Sequence, residues 1–149
     1  EENRVNLTYQ NESDLYFYIP ENLYLIGTMN TADRSLAMVD YALRRRFRFI
    51  TLKPEFNTNF SKYLANMGVS DEIIQKIITK IPQLNEIISS DSTLGEGFTI
   101  GHSFFTPIER IENSEEWYKT IIDNEIAPLL HEYYFDDSNK ANELITDLY

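Results

Sequence analysis

The sequence contains no cysteine, so it has no disulfide framework, no thiolate zinc site and no cysteine nucleophile. Only two histidines are present, and no metal site is predicted. No apolar run approaches the roughly 18 residues of a membrane span, and the opening EENRVNLTYQ has neither a basic n-region nor an apolar h-region. A cytoplasmic protein with no membrane partner is expected, which makes the sequons at Asn6, Asn11 and Asn59 chance matches in an Asn-rich chain. Basic residues are scarce: 13 Lys+Arg stand against 24 Asp+Glu, for a net charge of -11. That balance excludes the whole surface as an electrostatic footprint for nucleic acid or anionic lipid, so any anion contact must be local.

What is present is ordinary for a soluble globular protein: 149 residues, 42% hydrophobic and 25% charged, enough for one domain or for one core plus a small satellite. Val5, Leu7 and Tyr9 alternate with polar residues, NESD supplies a turn, and Leu15, Phe17 and Ile19 alternate again, which predicts a β-hairpin. After Pro20, LYLIGTM is the nearly continuous apolar run of a strand buried on both faces. From Ser35 the period lengthens: Leu36, Val39, Leu43 and Phe47 form one stripe on a helix of about three turns, with Asp33 or Ser35 as its cap. FRFITL then reads as a short strand closed by Lys53 and Pro54.

Beyond Pro54 the patterns are helical. FNTNFSKYLANMG predicts a short amphipathic helix ended by Gly68. SDEIIQKIITKIPQLNEIISS predicts a second, capped by Ser70 and kinked or ended by Pro82, with Ile73, Ile74, Ile77, Ile78 and Ile81 on its apolar face. TLGEGFTIGHSFF breaks the pattern with three glycines, and a last tract runs from Ser114 to Tyr149, with a kink or restart at Pro128.

One stretch departs from the acidic background. Arg34, Arg44, Arg45, Arg46 and Arg48 fall within fifteen positions opposed only by Asp40, so that stretch is +4 and the rest of the chain is -15. Consecutive helix positions point about 100° apart, so Arg44, Arg45 and Arg46 fan around the helix end and cannot all face one partner. Arg44 is spaced to pair with Asp40, and at least one other arginine should project away from its own domain. Two explanations remain open on spacing alone: a solvated helix end favoured by the macrodipole, by about 0.3 to 1 kcal/mol, or a site for an anion. Upstream, Asn30-Thr31-Ala32-Asp33 leaves an amide, a hydroxyl and a carboxylate at the carboxyl edge of a predicted sheet, where α/β proteins place ligands. Taken in isolation, Asn30 is read as a simple turn residue in preference to a ligand contact.

The segment LYLIGTMNTADRSLAMVDYALRRRFRFITLKP resembles the signature region of the McrB family, the GTP-hydrolysing AAA+ motor subunits of methylcytosine-directed restriction endonucleases. IGHSFF and EIAPLLHEYYFDD resemble two further blocks of that family in the same order, so the likeness spans roughly Val5 to Asp137. The resemblance implies an α/β fold: a partial AAA+ core over residues 1–53, with hairpin, sensor-1 strand, arginine-finger helix and following strand, and an all-helical lid over residues 54–149. It implies Asn30 at the sensor-1 position and Arg45 and Arg46 as catalytic fingers acting on a neighbouring subunit. Asp33, Arg34 and Arg44 would serve the nucleotide or the subunit interface. His102 and Ser103 would lie on the nucleotide-facing side of the lid; GHSFF lacks the arginine many AAA+ lids use there, and a packed structural histidine is an equal reading.

The implied cofactors are GTP, or ATP, with Mg in the intact protein. The implied partners are identical subunits in a ring and a nuclease subunit of McrC type, with DNA engaged only through other domains. No Gly-x-x-x-x-Gly-Lys-Ser/Thr loop occurs, and no apolar strand ending in Asp-Glu precedes the hairpin. The expectation is therefore a C-terminal portion of an AAA+ module, inactive and without tightly bound nucleotide by itself. Two other functions fit less of the sequence: part of an ATP-driven remodeller of the MoxR or dynein-like kind, and a non-enzymatic helical interaction module whose arginines only stabilise a helix end.

Overall fold

The computed structural model describes residues 19–30 and 41–149. They belong to two units, Glu1–Asn30 and Thr31–Tyr149. The expected hairpin over residues 5–19 lies outside the described residues except for its last position, and so do Asp33, Arg34, Asp40 and the start of the arginine-bearing helix.

In the first unit, Leu23 donates its N–H to the Pro20 carbonyl at 3.1 Å and closes a turn. LYLIGTM follows without helix or strand, and Ile26 is 95% exposed. A buried strand was expected here. Strands exist only as paired ladders, because each backbone N–H and C=O needs a partner; among the described residues no ladder forms. In the second unit FRFITL is likewise described without helix or strand, and Phe47, Phe49, Ile50 and Leu52 are all exposed. Just before it, helix α1 is described over Tyr41–Arg44 and gives way to a turn at Arg45 and Arg46.

The helical part of the second unit follows its sequence closely. Helix α2, Thr58–Asn66, begins where Asn57 Oδ1 accepts the N–H groups of Asn59 and Phe60 at 2.9 and 3.1 Å. It ends at Gly68, whose φ is +88°. There Val69 donates to Leu64 and Gly68 to Ala65, the two reverse bonds of a Schellman stop, and both Leu64 and Val69 are buried. Glycine is required twice over, since a Cβ at position 68 would lie 2.8 Å from the Ile111 carbonyl oxygen.

Helix α3, Asp71–Ser90, is the spine. Ile73, Ile74, Ile77, Ile81, Leu84 and Ile88 are buried along one face, each contributing roughly 1.5 to 3 kcal/mol of transfer free energy. Two expectations change. Ser70 makes no side-chain cap; its backbone N–H instead donates to Ser114 Oγ at 2.9 Å, tying the start of α3 to the start of a later helix. Pro82 does not end the helix, because the missing bond is outweighed by apolar burial on both sides of it, at Ile81, Leu84 and Ile88.

The glycine-containing segment after α3 forms two short 3₁₀ turns, Glu96–Phe98 and His102–Phe105. Helix α4, Ser114–Ile121, is capped by Asn113, whose Oδ1 accepts from the Glu116 N–H at 3.2 Å while its amide donates back to the Glu116 carboxylate at 3.0 Å. The restart expected at Pro128 takes the form of a π turn over Ile122–Ile126, closed by the Ala127 N–H on the Ile122 carbonyl, before α5, Ala127–Tyr133. Pro128 has no N–H and its ring crowds the carbonyl four residues back, so a widened turn just upstream is where the ladder yields. Helix α6, Ser138–Asp147, is capped by Asp137. All these helices share one core, crossed by the Tyr118 hydroxyl, which donates to the Leu148 carbonyl at 2.8 Å. Burial pushes that phenol well above the usual tyrosine range.

Candidate functional site

The predicted site residues fall in three stretches of the sequence. Asn30 is exposed at the end of the extended run in the first unit. Arg44 closes α1, Arg45 and Arg46 form the turn after it, and all three are exposed. The Arg44 guanidinium lies 6.0 Å from the centre of the Phe49 ring. Asp33 and Arg34 lie outside the described residues. Charge is divided sharply along the chain: residues 54–149 hold 17 acidic and 6 basic side chains, the whole of the net -11. The helical part repels polyanions, which leaves the arginine turn as the local positive feature.

His102 and Ser103 sit in the second 3₁₀ turn, and their surroundings are structural. His102 is half-buried, with its ring 5.7 Å from that of Phe60 and 6.3 Å from that of Phe56, both edge-on. Its Nδ1 accepts the backbone N–H of Glu55 at 3.0 Å. An accepting Nδ1 puts the ring hydrogen of the neutral imidazole on Nε2. Ser103 is exposed, and its carbonyl accepts the Thr106 hydroxyl at 2.7 Å and the Thr106 N–H at 3.3 Å, which shapes the turn.

Sequence patterns did not single out the residues that hold this turn in place. Asn85, on α3, donates its amide to the Ile100 carbonyl at 2.9 Å and accepts the Ile100 N–H at 2.6 Å. This two-point clamp fixes a fully buried residue of the loop to the spine. Phe56 packs edge-on against Phe60 at 5.7 Å and Phe105 at 6.5 Å, and Phe105 stacks on Tyr118. The available signal was Asn57, a good cap just before a helical pattern, which marks Glu55 and Phe56 as the entry to α2.

A second polar cluster closes the far end. Asp91, just past α3, accepts the Thr93 hydroxyl at 2.6 Å, the Thr93 N–H at 2.9 Å and Lys140 Nζ at 2.9 Å. The Thr93 hydroxyl first, then Lys140, holds the Asp91 carboxyl well below the usual carboxylate range. Lys140 also lies 4.3 Å from the centre of the Tyr134 ring. The arrangement locks the first turn of α6 onto the end of α3.

Among the described residues no group of histidine and acidic side chains is placed to hold a metal, and no helix is long and apolar enough to cross a membrane. The phosphate cradle of a P-loop is a Gly-x-x-x-x-Gly-Lys-Ser/Thr loop, and this sequence does not contain one. Among the described residues, the exposed guanidiniums of the arginine turn are groups that suit a phosphate.

Residues 76–142 match the family model of the McrB alpha-helical lid domain. Over 151 aligned positions the chain is 46% identical to the Type IV methyl-directed restriction enzyme EcoKMcrB subunit of Escherichia coli (strain K12), an alignment that takes in 96% of this chain and 33% of that relative. The chain thus spans about a third of the length of the curated relative it matches.

Proposed function

Because the chain is of McrB type and carries that family's alpha-helical lid domain over residues 76–142, we propose that it forms part of the AAA+ motor of a modification-dependent DNA restriction system. Residues 1–53 would belong to the α/β core and residues 54–149 to the lid. Asn30 would take the sensor-1 position, and Asp33 and Arg34 would link it to the subunit interface together with Arg44. Arg45 and Arg46 would present positive charge to the γ-phosphate of a nucleotide bound by the neighbouring subunit. The nucleotide would be GTP, with Mg, bound by parts of the intact protein that carry a phosphate cradle. Identical subunits in a ring and a nuclease subunit of McrC type are the proposed partners, and DNA would be contacted through other domains.

The observation that supports this most is the reach of the 46% identity. Covering 96% of the chain, it leaves no room for the exposed arginine turn to fall outside the aligned part. The test is steady-state hydrolysis of GTP and of ATP by the intact parent protein, with Arg45→Ala alongside. GTP turnover should fall on the order of a thousandfold in the variant, as for other arginine fingers, with nucleotide binding nearly unchanged. Turnover indifferent to Arg45 would return that arginine to the helix dipole, and turnover of ATP alone would replace the restriction motor with a protein remodeller.

A further inference from the structure

His102 sits at a boundary rather than in a pocket. The segment from Phe47 to Pro54 has no helix or strand, and most of its side chains are exposed, Leu52 at 91%. Three residues later Asn57 caps α2 and the core begins. Between them, Glu55 donates its backbone N–H across 47 positions of sequence to His102 Nδ1 at 3.0 Å. Phe56 lies edge-on to His102, Phe60 and Phe105. The Glu55 carboxylate accepts the Asn57 amide at 2.8 Å, so the same residue is tied forward to the cap. The acceptor is itself anchored, because Asn85 clamps Ile100 two positions before His102. A continuous path of hydrogen bonds and covalent links therefore runs from the middle of α3 through Ile100 and His102 to the backbone of Glu55. A contact further upstream, Lys53 to Glu96 at 3.4 Å, joins two side chains that are mostly exposed, and pairs of that kind contribute little.

We infer that His102 is a positioning residue: its Nδ1 latches the Glu55 backbone to the helical lid, so that residues from Glu55 onward move with the lid and any rotation between the lid and the arginine turn is taken up before Glu55. The functional meaning of that pivot rests on the motor reading above; the latch itself does not. It assigns His102 a role through the connector and away from direct contact with nucleotide. Rotation about the chain just before Glu55 would then change the angle between Arg45 or Arg46 and the lid without disturbing the helical core, as hinges at element boundaries do.

Amide hydrogen exchange on the 149-residue chain tests the latch without nucleotide. Pro54 has no amide, so protection should step up sharply between Lys53 and Glu55. Two variants separate the acceptor from the ring. His102→Asn keeps an acceptor where Nδ1 stood and loses the aromatic surface, whereas His102→Phe keeps the surface and loses the acceptor. Glu55 should remain protected in His102→Asn and exchange at least about tenfold faster in His102→Phe, while the amides of Ile77 and Ile81 stay protected in both. Any other pattern overturns the latch, including an unprotected Glu55 amide in the unmodified chain, a result that needs no variant to fold. Hydrolysis by the intact parent protein is read separately: loss of the latch pattern with Arg45-dependent turnover intact would sink this inference alone, and the reverse would sink the motor reading alone.

Discussion

Replacing Gly68 by alanine should unfold the helical part more readily than replacing Gly95, although both glycines have nearly the same backbone. Gly68 has φ +88° and Gly95 φ +86°, so an L-residue at either position meets the left-handed cost of about 1 to 2 kcal/mol. Each alanine also stiffens the unfolded chain, which returns about 0.4 to 1 kcal/mol. The two sites differ in their surroundings. A Cβ at Gly95 meets nothing within 4 Å, whereas at Gly68 it falls 2.8 Å from the Ile111 carbonyl oxygen, a backbone atom that cannot rotate away. Making room means shifting residue 111, whose N–H donates to the Met67 carbonyl at 2.7 Å. Losing that bond adds about 1 kcal/mol. The expected losses are about 1 kcal/mol for Gly95→Ala and about 2 kcal/mol for Gly68→Ala, the latter lowering the midpoint by roughly 10 °C for a domain of this size. Thermal unfolding followed by helical circular dichroism, with urea unfolding as a second probe, measures both. Equal losses at the two positions would refute the close-approach argument, since the conformational terms cancel in the comparison.

Asn85→Ala removes both bonds to the Ile100 backbone and strands a buried N–H and C=O; a loss of about 2 to 3 kcal/mol is expected, and a change under about 0.5 kcal/mol in urea unfolding would mean that water replaces the clamp. The Asp91 cluster sets a pH dependence. Because its folded carboxyl titrates below the ordinary value of 3.8, Asp91 stabilises the fold fully above about pH 5, and that contribution fades as pH falls through 4 and below. Asp91→Asn should therefore narrow the difference in urea midpoint between pH 7 and pH 3, and an unchanged difference would show that other carboxylates carry the acid response.

The helical half was legible because most of its boundaries are chemically local. Gly68 stops α2 through its own backbone freedom, and the isoleucine spacing of α3 names its buried face without reference to any other element. The misreadings are instructive for the same reason. Ser70 looked like a cap by position, yet its N–H is satisfied by Ser114, a partner that only tertiary structure brings near. Pro82 was expected to kink or end α3, and the helix runs on through it because the apolar face on both sides outweighs one missing bond. LYLIGTM and FRFITL stand apart from these: they carry strand composition, but a strand is a relation between segments, and among the described residues neither has a paired neighbour. The clamp at Asn85 and the latch at His102 were invisible for a further reason: each uses one side chain on a distant backbone group, which leaves no periodic trace. The roles of Asn30, Arg45 and Arg46 rest on motif likeness, and hydrolysis measurements are what bear on them.

The π turn at Ile122–Ile126 acts as a phase corrector. Tyr118, Ile122, Ile126 and Leu130 are all fully buried at intervals of four, but in an ideal helix each such step overshoots a full revolution by about 40°. Over three steps the buried face would wander about 120°, far enough to bring Leu130 toward solvent. The wider turn takes more residues per revolution and winds the face back toward the core. The wider turn is thus a fixed setting: winding the same residues as ordinary α-helix would rotate all that follows and swing Leu130, and the chain leading to the Asp91–Lys140 lock, away from the partners they now meet.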